Sequence, residues 1–260
     1  MKIKQPELAA RNAVLINSLT GEVYLQRNES ETVSNASTTK IMTCILALEN
    51  LEPNEKTLEV IEDDVVRGSK MGLDIGESMT VSEMLYGLMM TSGNEAANVI
   101  ARTVSTRLSG KGTYDDFVSL MNEKAKNLGM ADTSFKNASG LDEPGHYSTA
   151  IDMTVLTRYA MQNDAFRRIV STKEYVISSE CFGEEKEYLL ANTNRLLWTY
   201  DGCTGVKTGT TYMAGACLAA SAEDDNGTEL IAIILGSTIE ERYKDAEKLL
   251  DYGLKVHNIV

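Results

Sequence analysis

Apolar positions in this 260-residue chain follow two patterns. Near both ends they cluster in short continuous runs. Through the middle they recur at intervals of three and four. At the start, Ala13-Val14-Leu15-Ile16 and Val23-Tyr24-Leu25 read as strands, with Thr20-Gly21 as the turn of a hairpin over 12–28. From 37 to 50, Ile41, Cys44, Ile45 and Leu48 repeat at helical spacing and predict a buried helix. Residues 51–75 are irregular and charged. Thr80-Val81-Ser82-Glu83 is a capping box, which opens a helix running to Met90. Ser92-Gly93-Asn94 interrupts it, and a second helix follows from Glu95 to about Leu108. After the linker Gly110-Lys111-Gly112, Phe117, Leu120, Met121, Ala125 and Leu128 mark an amphipathic helix closed by Gly129. Thr149-Ala150-Ile151-Asp152 starts another, which ends near Asn163.

Beyond residue 200 the pattern returns to strands. The stretches 205–211, 214–222 and 230–235 are strand-like, and Asp225-Asn226-Gly227 signals a hairpin turn between the last two. Tyr243, Ala246, Leu249, Leu250 and Leu254 form the apolar stripe of a closing helix. Strands from both termini around a helical middle predict an α/β (α+β) fold with one sheet assembled from the two ends. We expect a single catalytic domain over 1–260. Its α/β part comprises 1–58 and 147–260, and an all-helical insertion spans 59–146.

Composition narrows the function. A net charge of −13 argues against nucleic acid or an anionic membrane as partner. Nothing in the chain reads as a membrane span. Met1-Lys2-Ile3-Lys4 is followed by Gln5-Pro6-Glu7 rather than an apolar run, so no export signal is read. Cys44, Cys181, Cys203 and Cys217 lack C-x-x-C spacing, so neither a metal nor another cofactor is expected. Cys203 and Cys217 flank a hairpin, but four cysteines in a chain this long are expected to be free thiols.

Three short motifs carry the chemistry: Ser37-Thr38-Thr39-Lys40, Ser92-Gly93-Asn94 and Lys207-Thr208-Gly209. Each occurs once. A serine hydroxyl is a weak nucleophile until a base takes its proton. Only His146 and His257 are available as histidine bases, and a lone polar residue in a loop such as His146 is more often structural. Lys40 lies one helical turn beyond Ser37, on the same face. Burial and a second cation, Lys207, would favour its neutral form. Ser37 at a helix start is also an ordinary cap residue, and Ser92-Gly93-Asn94 alone reads as a helix–helix turn. Together with Lys207 on a strand they describe a nucleophile, a base, a relay and an anion clamp. Gly209 removes a side chain where a ligand backbone can approach.

In this order the motifs match the S-x-x-K, S-x-N and K-T-G set. The chain resembles the serine-type D-Ala-D-Ala carboxypeptidases, the low-molecular-mass penicillin-binding proteins, from about Ala13 to Leu254. Further stretches that carry the resemblance are Asn137-Ala138-Ser139-Gly140-Leu141, Gly145-His146-Tyr147-Ser148-Thr149-Ala150 and Asn192-Thr193-Asn194. The resemblance implies a five-stranded antiparallel sheet flanked by helices, with a helical subdomain. It implies Ser37 as nucleophile, Lys40 as base, Ser92 and Asn94 as partners and Lys207 as clamp. Thr208, Gly209 and Thr210 would bind substrate, and an oxyanion hole would use the N–H groups of Ser37 and Thr210. The implied substrate is the peptidoglycan stem peptide, with β-lactams as covalent inhibitors, at an extracytoplasmic location. Some members place an arginine just after the last strand. Gly236-Ser237-Thr238 holds none, and Arg242 stands further on as a substitute.

The same residues would serve a D,D-endopeptidase of cross-links. A class A β-lactamase is disfavoured, because the chain has no Leu-Asn pair for an E-x-x-L-N loop and Gly93 replaces the aspartate of its second motif. A non-catalytic binder would have no reason to retain Ser37, Lys40, Ser92 and Lys207 together.

Overall fold

The computed structural model of the chain describes residues 3–257, so Met1 and Lys2 of the basic start lie outside it. Strands are numbered along the chain: β1 (Asn12–Asn17), β2 (Val23–Arg27), β3 (Glu77–Ser78), β4 (Glu174–Cys181), β5 (Glu184–Ala191), β6 (Cys203–Thr211), β7 (Gly215–Glu223) and β8 (Glu229–Ser237). Five form one antiparallel sheet in the order β2-β1-β8-β7-β6. The amino-terminal hairpin therefore joins the carboxy-terminal strands through β1 and β8, with Asn12 opposite Leu235 and Asn17 opposite Leu230.

The central strands are apolar without alternation because both sheet faces are covered. On β8, Leu230, Ala232 and Ile234 pack with Tyr243, Ala246, Leu249 and Leu250 of the last helix, α8 (Glu241–His257). Ile231, Ile233 and Leu235 point the other way into the larger core. That core is built on α1 (Lys40–Asn50), whose Ile41, Met42, Cys44, Ile45, Leu46 and Ala47 are all buried. Each such aliphatic side chain contributes on the order of 1.5–3 kcal/mol by leaving water.

The remaining helices are α2 (Val81–Tyr86), α3 (Asn94–Ser109), α4 (Tyr114–Leu128), α5 (Ala150–Ala160), α6 (Asp164–Ser171) and the short α7 (Leu196–Thr199). The capping box forms as expected: Thr80 accepts from the Glu83 N–H, and the Glu83 carboxylate accepts from the Thr80 N–H. Regular helix stops at Tyr86, and a wider π turn carries the chain through Gly87–Thr91 to Ser92. Gly129 closes α4 with a positive φ of 82°.

A second sheet was not foreseen from the sequence. Strands β4 and β5 form a hairpin with Phe182-Gly183 at its tip, and β3 pairs along β4. The stretch 59–146 is thus not purely helical, because Glu77–Ser78 lends a strand to a hairpin far along the chain. Buried Glu77 anchors this junction, accepting from Lys186 Nζ at 3.0 Å and from Tyr188 Oη at 2.7 Å. Among the described residues no helix is long and apolar enough to cross a membrane. All four cysteines are free thiols.

Candidate active site

The three motifs come from separate elements and meet at the amino-terminal end of α1. Ser37 lies in a short 3-10 turn, Ala36–Thr39, that leads into α1. Its predecessor Ala36 is fully buried and held in the left-handed region at φ 48°. Ser92 is also left-handed, at φ 63°. Non-glycine residues in this region cost about 1–3 kcal/mol each, and such strain gathers at functional sites.

Lys40, the first residue of α1, is completely buried. Its Nζ lies 2.8 Å from Ser37 Oγ, 2.7 Å from Asn94 Oδ1 and 2.7 Å from the Ser139 carbonyl oxygen. The two carbonyl-type oxygens can only accept, so they take two N–H bonds. The third partner, a hydroxyl, can donate. A neutral amine, with two N–H groups and one lone pair, satisfies all three contacts, with Ser37 O–H directed at the lone pair. The electrostatics agree. Burial, then the nearby charge of Lys207, pull the Lys40 pKa well below the usual lysine value, with Glu95 opposing them.

Each partner of Lys40 is itself fixed. Asn94 opens α3 and donates from Nδ2 to the Arg67 carbonyl at 2.7 Å. That oxygen cannot donate, so the amide NH2 must face Arg67 and Oδ1 must face Lys40. The Ser139 carbonyl is presented by a turn whose hub is Asn137, which accepts from the N–H groups of Gly140 at 2.8 Å and Leu141 at 3.2 Å. Gly140 adopts φ 83°, and a Cβ there would lie 2.0 Å from the Ala36 carbonyl oxygen. Only glycine lets this turn close onto the nucleophile's turn.

Strand β6 forms the opposite wall. Gly209 backs directly onto the nucleophile: a Cβ there would sit 2.8 Å from the Ser37 nitrogen and 3.0 Å from Ala36 Cβ. Lys207 is buried and donates to the Thr208 carbonyl at 2.9 Å. Burial, and then the Arg242 charge, bring its pKa down to about 7. Thr208 is buried and its hydroxyl meets that of Thr193 at 2.7 Å. Thr210 is exposed. Arg242, read from the sequence only as a substitute, is a second basic side chain at this wall. Its Nη1 donates to the Gly209 carbonyl and to Thr210 Oγ1, both at 3.1 Å, and its Nε has no partner among the described residues.

Ser37, Lys40, Asn94, Lys207, Gly209 and Thr210 are therefore linked directly or through one neighbour. Ser92 is buried two residues before Asn94, but its hydroxyl forms no hydrogen bond among the described residues. His146 has both ring nitrogens engaged elsewhere. The Lys136 N–H donates to Nδ1 at 3.1 Å, so the ring proton sits on Nε2, 2.9 Å from Thr39 Oγ1. Burial lowers its pKa to about 4, despite the Asp142 charge. His257 pairs with Tyr24 at 3.0 Å. A Ser-His arrangement is absent among the described residues, and lysine is the base that the geometry offers. No group of metal-ligating side chains is found among them either.

Residues 1–238 match the model of the peptidase S11 family, described as D-alanyl-D-alanine carboxypeptidase. The chain belongs to this family. It is similar to D-alanyl-D-alanine carboxypeptidase DacF of Bacillus subtilis, with 38% identity over 94% of this chain and 62% of that protein. It is also similar to a D-alanyl-D-alanine carboxypeptidase of Streptomyces K15, with 32% identity over 96% of this chain and 89% of the relative. The crystal structure of the Streptomyces K15 DD-transpeptidase superposes with a TM-score of 0.90 at 33% identity, covering 97% of this chain and all of that one. The carboxypeptidase family thus accounts for the five-stranded antiparallel sheet flanked by helices. The chain spans 62% of the Bacillus protein and 64% of a similar Escherichia coli carboxypeptidase, DacC.

Proposed function

We propose that this chain is a serine D-alanyl-D-alanine carboxypeptidase that removes the terminal D-Ala of peptidoglycan stem peptides and is acylated by β-lactams. The observation that carries the reading is buried Lys40, whose Nζ lies 2.8 Å from Ser37 Oγ while burial and the Lys207 charge both favour its neutral form, so that its lone pair can take the Ser37 proton. In the first step Ser37 Oγ attacks the carbonyl carbon of the penultimate D-Ala while its proton passes to Lys40 Nζ. The developing oxyanion takes hydrogen bonds from the N–H groups of Ser37 and Thr210, preorganised by the packing of Gly209 on Ala36. Ser92 relays the proton to the leaving D-Ala nitrogen, and the peptide bond breaks to leave an ester on Ser37. Water then adds to the ester, with Lys40 again as base, and the shortened peptide leaves.

The terminal carboxylate would lie along β6, where Lys207 supplies charge and Thr208, Gly209 and Thr210 line the strand. Arg242, already bonded to Thr210, supplies a second charge. A bound carboxylate would favour the charged form of Lys207, which burial and Arg242 disfavour. We take the cleft to separate an α/β part (1–58 and 147–260) from a largely helical part (59–146). Its substrate places its action on the extracytoplasmic side of the cell.

A second reading follows from the similarity to a DD-transpeptidase, in which an amine replaces water as the acceptor of the acyl group. A D,D-endopeptidase would use the same ester. Intact-protein mass spectrometry after penicillin treatment tests the common step. The expected result is one adduct, located on the peptide containing Ser37 and lost in Ser37→Ala. An adduct elsewhere would refute the assignment. Supplying a D-Ala-D-Ala peptide with and without an amine acceptor then separates hydrolysis from transfer.

A further inference from the structure

The walls of the cleft belong to segments far apart in sequence, and one side chain outside the three motifs ties them together. Asp142 follows the turn that offers the Ser139 carbonyl to Lys40. Its Oδ1 accepts from Thr211 Oγ1 at 2.6 Å and from Ser34 Oγ at 3.1 Å, while Oδ2 accepts from the Met213 N–H at 3.0 Å. Thr211 and Met213 are the end of β6 and its turn into β7. Ser34 stands three residues before Ser37. One carboxylate thus holds the strand that would bind substrate, the turn that supports the base and the lead-in to the nucleophile.

We propose that Asp142 is a positioning residue that sets the width of the cleft, acting through Thr211, Met213 and Ser34 rather than on the substrate. Three features support this. The contacts go to two segments distant in sequence, at 34 and at 211–213, whereas a locally capping aspartate would bond within its own turn. Thr211 is already committed, since its hydroxyl also accepts from the Ala214 N–H at 3.1 Å, so the carboxylate closes the β6–β7 turn as well as tethering it. Gly140, two residues earlier, leaves no room between its turn and Ala36, so a shift of that turn is transmitted to Ser37. The charged form is the one the site favours. Burial alone would raise the Asp142 pKa, but hydrogen bonds from Thr211, Met213 and Ser34, with the Arg67 charge, hold it below the ordinary value.

Asparagine at 142 keeps one acceptor oxygen and sets an NH2 against another donor, so Asp142→Asn loses part of the clasp; Asp142→Ala loses all of it. The inference rests on the acyl-enzyme reading above, so its test has one arm that does not need catalysis. In amide hydrogen exchange on the free protein, Asp142→Ala should speed exchange in two places at once, around 209–213 and around 139–141. Unchanged exchange in either segment overturns the clasp, whatever the chain catalyses. In the second arm, β-lactam acylation is resolved into non-covalent binding and the covalent step, at a temperature where the variants are folded. The covalent step should slow on the order of 10–100-fold in Asp142→Ala, the scale of an ångström-level misplacement, and less in Asp142→Asn. The losses from Thr211→Val and Asp142→Ala should be less than additive when combined, because the two residues share one contact. A residue that merely stabilises the fold would leave the covalent step of folded molecules unchanged, and that result overturns the proposal. Wild-type chain that is never acylated on Ser37 would refute the enzyme reading, while the exchange arm would still decide the clasp.

Discussion

Replacing Lys207 by methionine should make the protein more stable while removing its function. The side chain is buried, and its pKa is lowered from 10.5 to about 7 by burial and by Arg242. The folded site therefore holds the proton less tightly than the unfolded chain. Between pH about 7 and 10.5 the unfolded state carries the extra proton, so stability climbs with pH across that window. The penalty is present in full below about pH 7 and absent above the unfolded value. At about 1.4 kcal/mol per tenfold change in proton binding it amounts to roughly 4–5 kcal/mol. Methionine matches the length of the lysine stem and carries no charge. It forfeits the hydrogen bond to the Thr208 carbonyl, worth about 1 kcal/mol. The net expectation is about 3 kcal/mol of added stability at pH 7, shrinking to nearly nothing around pH 10. Urea unfolding of both proteins at the two pH values, with the slope checked for constancy, reads this directly. A methionine variant less stable than wild type at pH 7, or an advantage that does not change with pH, would show that Lys207 is not held at an electrostatic cost.

Lys40→Arg should abolish acylation with the fold intact, because a guanidinium stays protonated at working pH; acylation at the wild-type rate would refute the base. Gly209→Ala should lower the acylation rate at least 100-fold and destabilise by about 1–3 kcal/mol, since its Cβ cannot coexist with the Ser37 nitrogen at 2.8 Å. Wild-type acylation kinetics in that variant would show that the strand and turn have slack. Amidating the terminal carboxylate of an acyl-D-Ala-D-Ala peptide should reduce kcat/KM by the equivalent of about 2–5 kcal/mol, the cost of leaving a buried charge unpaired. Equal values for acid and amide would remove the anion clamp and favour the endopeptidase reading.

Much of this candidate site was legible because its side chains have distinctive chemistry and stand at short spacing. Ser37 and Lys40 share a helical face, and Lys207 and Gly209 alternate along one strand, so local periodicity brought each pair together. Helix starts were readable where a side chain caps the backbone, as at Thr80 and Thr149. Contributions made by the main chain were not legible. The Ser139 carbonyl bonds Lys40, but a carbonyl has no sequence signature, and only the Asn-x-x-Gly turn around it could have drawn notice. Asp142 acts across 69 residues on Thr211 and 108 on Ser34. The β4–β5 hairpin escaped because its strands are rich in charge: Glu184, Glu185, Lys186 and Glu187 open β5 without apolar alternation. Tertiary partners such as buried Glu77 hold it in place, and Phe182-Gly183 was its one local signal.

The pairing of β1 with β8 has a consequence for the life of the chain before it is an enzyme. Val14 and Leu15 are buried on opposite faces of the sheet, yet the strand that completes their shelter begins at Glu229. During synthesis the amino-terminal hairpin must wait until the chain has emerged as far as β8. Such long-range closure is slow, and it leaves apolar edges exposed meanwhile. Ser37 and Lys40 are synthesised early, but the wall that would align a substrate, β6, settles only when β7 and β8 can dock beside β1. A nascent chain that stops short of β8 therefore holds Ser37 and Lys40 without the wall that would stand opposite them. Connectivity alone leaves the cleft unassembled until β8 is in place.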